Sequence, residues 1–142
     1  MKYRIFSVQE ANDLLLMLEP VIKDLTEKKS TMMHMHEQLL THELLDGTPE
    51  GYYETEDGKA YLHEASALEE LIVSFEDGIK TITANGCVLR DIERGIVDFY
   101  HVHDSELVFL NWILGESSVN YWYEIDASYQ NRRPLSELYD EE

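Results

Sequence analysis

His101 and His103 stand one residue apart in a stretch rich in β-branched and aromatic residues. On an extended chain, side chains at i and i+2 project to one side, which is the arrangement a metal pair needs. Asp98, Asp104, Glu116 and Glu124 follow or precede closely enough to complete a mixed nitrogen and oxygen shell, and His101, His103 and Asp98 are the set expected to hold a divalent metal ion if one binds. Their spacing matches no zinc signature of the Cys-x-x-Cys or His-Glu-x-x-His kind. The competing reading is a pair of exposed hairpin histidines beside acidic residues.

A second set consists of the carboxylates Asp91, Asp98, Glu116 and Glu124, close in sequence to Trp112 and Trp122. Partial burial beside the indoles would raise carboxyl pKa values and permit acid–base work, so these four are the candidate catalytic residues. Against this, Asp91 precedes Glu93-Arg94-Gly95 and Glu116 follows Gly115, places where such residues hydrogen-bond their own turn. Arg132-Arg133 is the only adjacent pair of arginines, and its guanidinium forks suit a carboxylate or phosphate; with Trp112 and Trp122 it forms the candidate binding set. The simpler reading is that the pair docks the tail against Asp126, Glu137 or a helix acid.

Other residues read as structure. Met32, Met33, Met35, His34, His36 and His42 resemble a soft-metal surface only in composition, since helical spacing separates His34 from His36 and turns Met32, Met35, His36 and Leu39 into a packing stripe. Cys87 has no activating base nearby in sequence and reads as a small buried hydrophobe. Neither a phosphate-cradling glycine loop nor a Gly-x-Ser-x-Gly elbow is present.

Composition narrows the partners. The 142 residues suffice for one domain, and 44% hydrophobic with 28% charged residues is ordinary globular usage, so the chain is expected to fold unaided. With 29 acidic residues against 11 basic, the net charge of −18 repels phosphate backbones and anionic membrane surfaces, so nucleic acid and membrane are not expected partners. A single cysteine excludes an internal disulfide, and no apolar run approaches the ~20 residues that span a bilayer. A cytoplasmic location is expected.

The elements that must position these residues follow from periodicity. Ser7-Val8-Gln9-Glu10 has the form of a capping box, and Ala11, Leu14, Leu15, Leu18, Val21, Ile22 and Leu25 paint one face of the helix it opens. Pro20 lies inside that helix and is expected to kink it near Met17 to Glu19. The turn residues from Asp46 to Gly51 end it, and Tyr52 to Gly58 reads as a loop. A second helix runs from Lys59, with Leu68, Leu71, Ile72, Phe75, Ile79 and Ile82 on its stripe, and stops at Asn85-Gly86. Short runs at Val88–Asp91, Gly95–Tyr100, Leu107–Leu114 and Val119–Glu124 read as strands, the third apolar on both faces and therefore central.

The fold expected is α+β: a pair of long antiparallel amphipathic helices followed by a small antiparallel β-meander of three to four strands. All of 1–142 is read as a single domain, with a helical hairpin at about 7–86, a β segment at about 87–125 and a C-terminal tail at about 126–142.

The opening Phe6-Ser7-Val8-Gln9-Glu10-Ala11-Asn12, then Arg90-Asp91, Arg94-Gly95-Ile96-Val97-Asp98-Phe99, Trp112-Ile113-Leu114-Gly115-Glu116, Tyr121-Trp122-Tyr123-Glu124 and Arg132-Arg133-Pro134-Leu135 together resemble an uncharacterised bacterial family known only as domain of unknown function 2203. The chain departs from the family pattern at Tyr123, where a histidine follows the tryptophan, at Asn111, where a cysteine often stands, and at Tyr100, where a proline follows the Asp-Phe pair. The resemblance implies a shared architecture and supplies no reaction. The function expected is therefore that of a non-catalytic interaction or scaffold protein, acting as a homo-oligomer, a dimer above all, or with a protein partner. The alternative is a metal-dependent, hydrolase-like enzyme with a His/carboxylate site in the β segment.

Overall fold

The computed structural model describes residues 3–46 and 49–139. Helix α1 (Val8–Asp46) is followed by a 3-10 turn at Tyr52–Glu54, α2 (Glu56–Ala84), strands β1 (Val88–Asp91), β2 (Ile96–His103), β3 (Glu106–Ile113) and β4 (Tyr121–Glu124), a 3-10 turn at Tyr129–Asn131, β5 (Arg133–Pro134) and the short α3 (Leu135–Leu138). The residues up to Thr26 and those from Gly78 onward form one compact unit, and Glu27–Asp77 form another.

In the first unit, the Ser7 hydroxyl accepts from the Glu10 backbone N–H at 3.0 Å while the Ser7 N–H donates to the Glu10 carboxylate at 2.9 Å, so the capping box is formed in both directions. That backbone bond, with the Ser7 hydroxyl and Arg4 adding to it, holds the Glu10 carboxyl below its ordinary range. Helix α1 continues through Pro20 without a break. Proline removes the N–H that would reach the Leu16 carbonyl, and because Leu16 is 88% exposed, water can satisfy that carbonyl. The face carrying Ala11, Leu15, Leu18, Ile22 and Leu25 is buried as the spacing requires.

The strands form one antiparallel sheet in chain order, β1-β2-β3-β4-β5. Register places Phe99, Leu110 and Trp122 in one row, with Val97, His101 and Trp112 on the same, inner face. Phe6 packs edge-on against Phe99 there, with ring centroids 5.0 Å apart. The opposite, outer face carries Arg90, Asp98, Tyr100, Phe109, Asn111, Tyr121 and Tyr123. The β2–β3 hairpin closes through Asp104 and Ser105, both with positive φ, as a tight two-residue turn demands. Ile5 forms a parallel bridge to Tyr100, whose carbonyl accepts from the Phe6 N–H at 2.7 Å.

The structure corrects the expected number of strands from three or four to five. Strand β5 has two residues, too few for any period to register, and Pro134 can occupy it because an edge strand tolerates a missing donor. It lies in the expected tail, whose last residues, 140–142, fall outside the described ones, as do Gly47 and Thr48 of the expected turn.

Helix α2 also starts earlier than Lys59. The Thr55 hydroxyl accepts from the Gly58 N–H at 3.0 Å and donates to the Tyr52 carbonyl at 2.6 Å, so Thr55 nucleates the first turn from within a segment whose composition reads as loop. Among the described residues, no helix is long and apolar enough to cross a membrane.

This turn explains a glycine. A Cβ on Gly58 would stand 1.9 Å from the Tyr52 carbonyl oxygen. Gly58→Ala is therefore expected to destabilise the protein by about 2 kcal/mol, read as a lower midpoint in thermal unfolding followed by circular dichroism; an unchanged midpoint would contradict the close approach.

Candidate functional site

Asp98 projects from the middle of β2 onto the outer face and is fully buried. One carboxylate oxygen accepts from Asn111 Nδ2 at 2.7 Å, and the other accepts from Arg90 Nε at 2.7 Å and from the Tyr123 hydroxyl. Asn111 passes the network on, since its Oδ1 accepts from Arg132 Nη1 at 3.1 Å. Arg132 forks onto Glu116 through bonds of 2.9 and 2.8 Å and lies 3.8 Å over the Tyr121 ring. Glu116 is held in turn by the Ile113 N–H at 2.7 Å, and its carbonyl accepts from Trp112 Nε1 at 3.0 Å.

Burial, then the hydrogen bond to and charge of Asp98, raise the Tyr123 hydroxyl above its ordinary range. For Arg90, lost hydration lowers the pKa, but the bond and charge of Asp98, with Tyr123, outweigh it, so the guanidinium stays charged. Both Asp98 oxygens are occupied, which makes this carboxylate an anchor for its neighbours rather than a base open to substrate.

The expected carboxylate set divides. Asp98 and Glu116 are joined through Asn111 and Arg132. Asp91 accepts from the Arg94 N–H at 3.1 Å and closes the β1–β2 turn, while Glu124 pairs with Arg133 at 3.0 Å in an exposed bridge. Arg133 lies 4.5 Å over Trp122, and Trp112 is wholly buried. Trp122 is buried too, and among the described residues its Nε1 meets no hydrogen-bond partner.

His101 and His103 do share a face of β2, but Asp98 projects from the other face, so the three expected metal ligands are not brought together. His101 is buried, with Nδ1 2.6 Å from the Phe6 carbonyl and Nε2 bonded to the Tyr139 hydroxyl. A carbonyl only accepts, so Nδ1 carries a proton and donates it to Phe6. His103 packs edge-on against Tyr139 and lies 3.2 Å from Asp104. Among the described residues, no group of three or more His, Cys, Asp and Glu is arranged to hold a metal ion. Cys87 is buried, and that burial pushes its thiol up to about 12.

Arg90, Asn111, Tyr121 and Tyr123 are the residues that sequence reasoning did not select. Strand parity contained the signal: once β1 pairs with β2 around Glu93-Arg94-Gly95, Arg90 and Asp98 share a face. Beside them on the outer face is a cavity of about 490 Å³ whose lining includes Arg90, Tyr100, Phe109, Tyr123, Ile125 and Tyr129. Tyr3, Tyr100, Phe109 and Tyr123 form a continuous row of rings with successive centroids 5.4, 5.1 and 5.2 Å apart.

The second unit, Glu27–Asp77, is a helical hairpin in which Lys28 bonds Ser74 at one end and Tyr61 bonds Glu43 near the other. The Glu43 bond is the main reason the Tyr61 hydroxyl is raised to about 12. Among its described residues Leu39, Tyr52 and Leu68 are the buried hydrophobic side chains, whereas Met33, Leu40, Leu44, Leu45, Leu62 and Val73 are exposed. A cavity of about 520 Å³ opens between its helices, lined by His34, Glu37, His42, Asp57, Tyr61 and Glu64 among others.

An α+β protein whose antiparallel sheet is laced by an Arg–Asp–Asn–Arg–Glu network centred on the buried Asp98 is the class defined here. The chain belongs to a family described as uncharacterized conserved protein (DUF2203), whose model matches residues 4–135. No match was found among curated proteins or among solved structures.

Asp98→Asn leaves Arg90 without its counter-charge. A loss of about 2 kcal/mol is expected in urea unfolding, less than the roughly 3–5 kcal/mol for a fully buried pair because the Arg90 side chain is 37% exposed and can rehydrate. Tyr123 gives a pH test. Its native pKa lies above the ~10 of an unfolded tyrosine, so its contribution is complete below that pH and is lost as pH rises beyond it. Tyr123→Phe should show a shallower alkaline loss of stability than the parent; equal slopes would deny the linkage.

Proposed function

We propose that the protein is a non-catalytic interaction protein whose helical unit, Glu27–Asp77, docks a basic amphipathic helix from a protein partner. The observation that carries this reading is the poverty of the unit's own core. Two helices totalling some forty described residues bury few apolar side chains and leave Met33, Leu40 and Leu44 exposed. At 100° per residue these three fall within about 40° of one another on α1, an apolar line of the kind that helix-in-groove recognition uses. So small a unit ordinarily needs further burial to be stable.

Charge selects the partner. Lys28, Lys29 and Lys59 are the only Lys or Arg residues between Glu27 and Asp77, against thirteen Asp and Glu. A second copy would set acid against acid, whereas a helix with lysines or arginines flanking an apolar line would be drawn in and held. The occupied oxygens of Asp98 and the separation of Asp98 from His101 and His103 favour a non-catalytic role.

The test is fluorescence anisotropy with a labelled helical peptide bearing leucines on one face and lysines on the other. Saturable one-to-one binding is expected, weakened at least tenfold by Leu40→Glu with Leu44→Glu and unchanged by Leu16→Glu. Equal weakening by all three substitutions would reduce the attraction to bulk charge and sink the proposal. Sedimentation showing a dimer that the Leu40 and Leu44 substitutions dissociate would assign the stripe to a second copy instead.

A further inference from the structure

We infer that the outer-face cavity is a binding site for a small aromatic carboxylate. Its volume of about 490 Å³ lies in the range of small-molecule sites, and all its lining belongs to the sheet unit. Tyr100, Phe109, Tyr123 and Tyr129 line it with aromatic rings, the first three in ring-to-ring contact, and Val88, Ile125, Ala127 and Ser128 complete the lining beside Arg90. Flat rings pack against such surfaces with offset or edge-on geometry.

Arg90 gives the site its polarity. Its Nε is committed to Asp98 at 2.7 Å, and its guanidinium carbon stands 5.1 Å from the Phe109 centroid. A guanidinium has five N–H donors, more than one Asp98 oxygen and the Tyr123 hydroxyl can take, so donors remain for a ligand in the cavity that Arg90 lines. Because Asp98 is fully buried and bonded by Asn111 and Tyr123 as well, Arg90 is fixed before any ligand arrives, which reduces the entropy lost on binding. The planar fork matches a carboxylate. Arg94, bonded to the Tyr129 hydroxyl at 3.1 Å, adds a second positive charge to that wall. One fixed arginine amid aromatic and aliphatic walls suits a ligand with a single acid group on a ring; a polyanion would meet the chain's net charge of −18.

The full chain is titrated with 2-naphthoate and with the neutral 2-naphthalenemethanol, followed by calorimetry and saturation-transfer NMR. Saturable one-to-one binding of naphthoate is expected, at least tenfold tighter than the alcohol and at least tenfold weaker in Arg90→Gln. Arg90→Gln also strips Asp98 of its partner, so Ile125→Trp, at a 41% exposed wall position, serves as a second variant that fills the cavity without touching the network. It should abolish naphthoate binding with an unchanged unfolding midpoint. Equal affinity for acid and alcohol, naphthoate binding indifferent to both variants, or no saturable binding at millimolar naphthoate would each overturn the inference.

Discussion

A carboxylate cut off from water in the middle of a sheet must be answered by donors, and Asp98 draws its own from three other strands. Arg90 comes from β1, Asn111 from β3 and Tyr123 from β4. Burying a charge costs several kcal/mol unless such bonds replace its hydration, and removing one donor leaves the cost unanswered. The network therefore specifies register as well as contributing contacts. A slip of one residue in β2 would turn Asp98 toward the inner face, against Leu110 and Trp112 of β3, and place Val97 or Phe99 where Arg90 and Asn111 expect an acceptor.

The same constraint reaches beyond the strands. Asn111 takes Asp98 with its amide nitrogen and Arg132 with its amide oxygen, so an arginine outside the central strands is tied to the centre of the sheet. Arg132 then fixes Glu116 in the β3–β4 connection, and Glu116 receives the Trp112 indole from the inner face. Two faces that share no side chains are thereby coupled through one loop. The segment around Arg132 is held by charge and ring stacking more than by its two-residue strand.

Much of this was legible in the sequence. The capping box at Ser7, the stripe from Ala11 to Leu25, the stop at Asn85-Gly86 and the four longer strands all follow from local chemistry and period, and these are signals that neighbours reinforce. Strand β5 and the Thr55 cap were not legible, because a two-residue strand has no period and a threonine inside a polar aromatic stretch announces a cap only once the helix is seen. At the site, Asp98 and Glu116 were recognised as chemistry-bearing residues. Arg90 and Tyr123 were not, since their importance comes from which face they share rather than from their own spacing. The pair His101 and His103 shows the converse: correct parity for two ligands, but a third candidate whose even number put it across the sheet.

Phe6 lies against Phe99, and its backbone is gripped by Tyr100 and His101, residues more than ninety positions later. During synthesis the amino-terminal segment therefore leaves the ribosome long before its binding surface does, by roughly 5–20 seconds at ~5–20 residues per second. Through that interval Phe6, buried in the finished sheet unit, lacks the β2 ring and backbone that cover it. The order of translation thus runs against the order of burial. The sheet unit can close only after its strands have followed its first helix out of the ribosome.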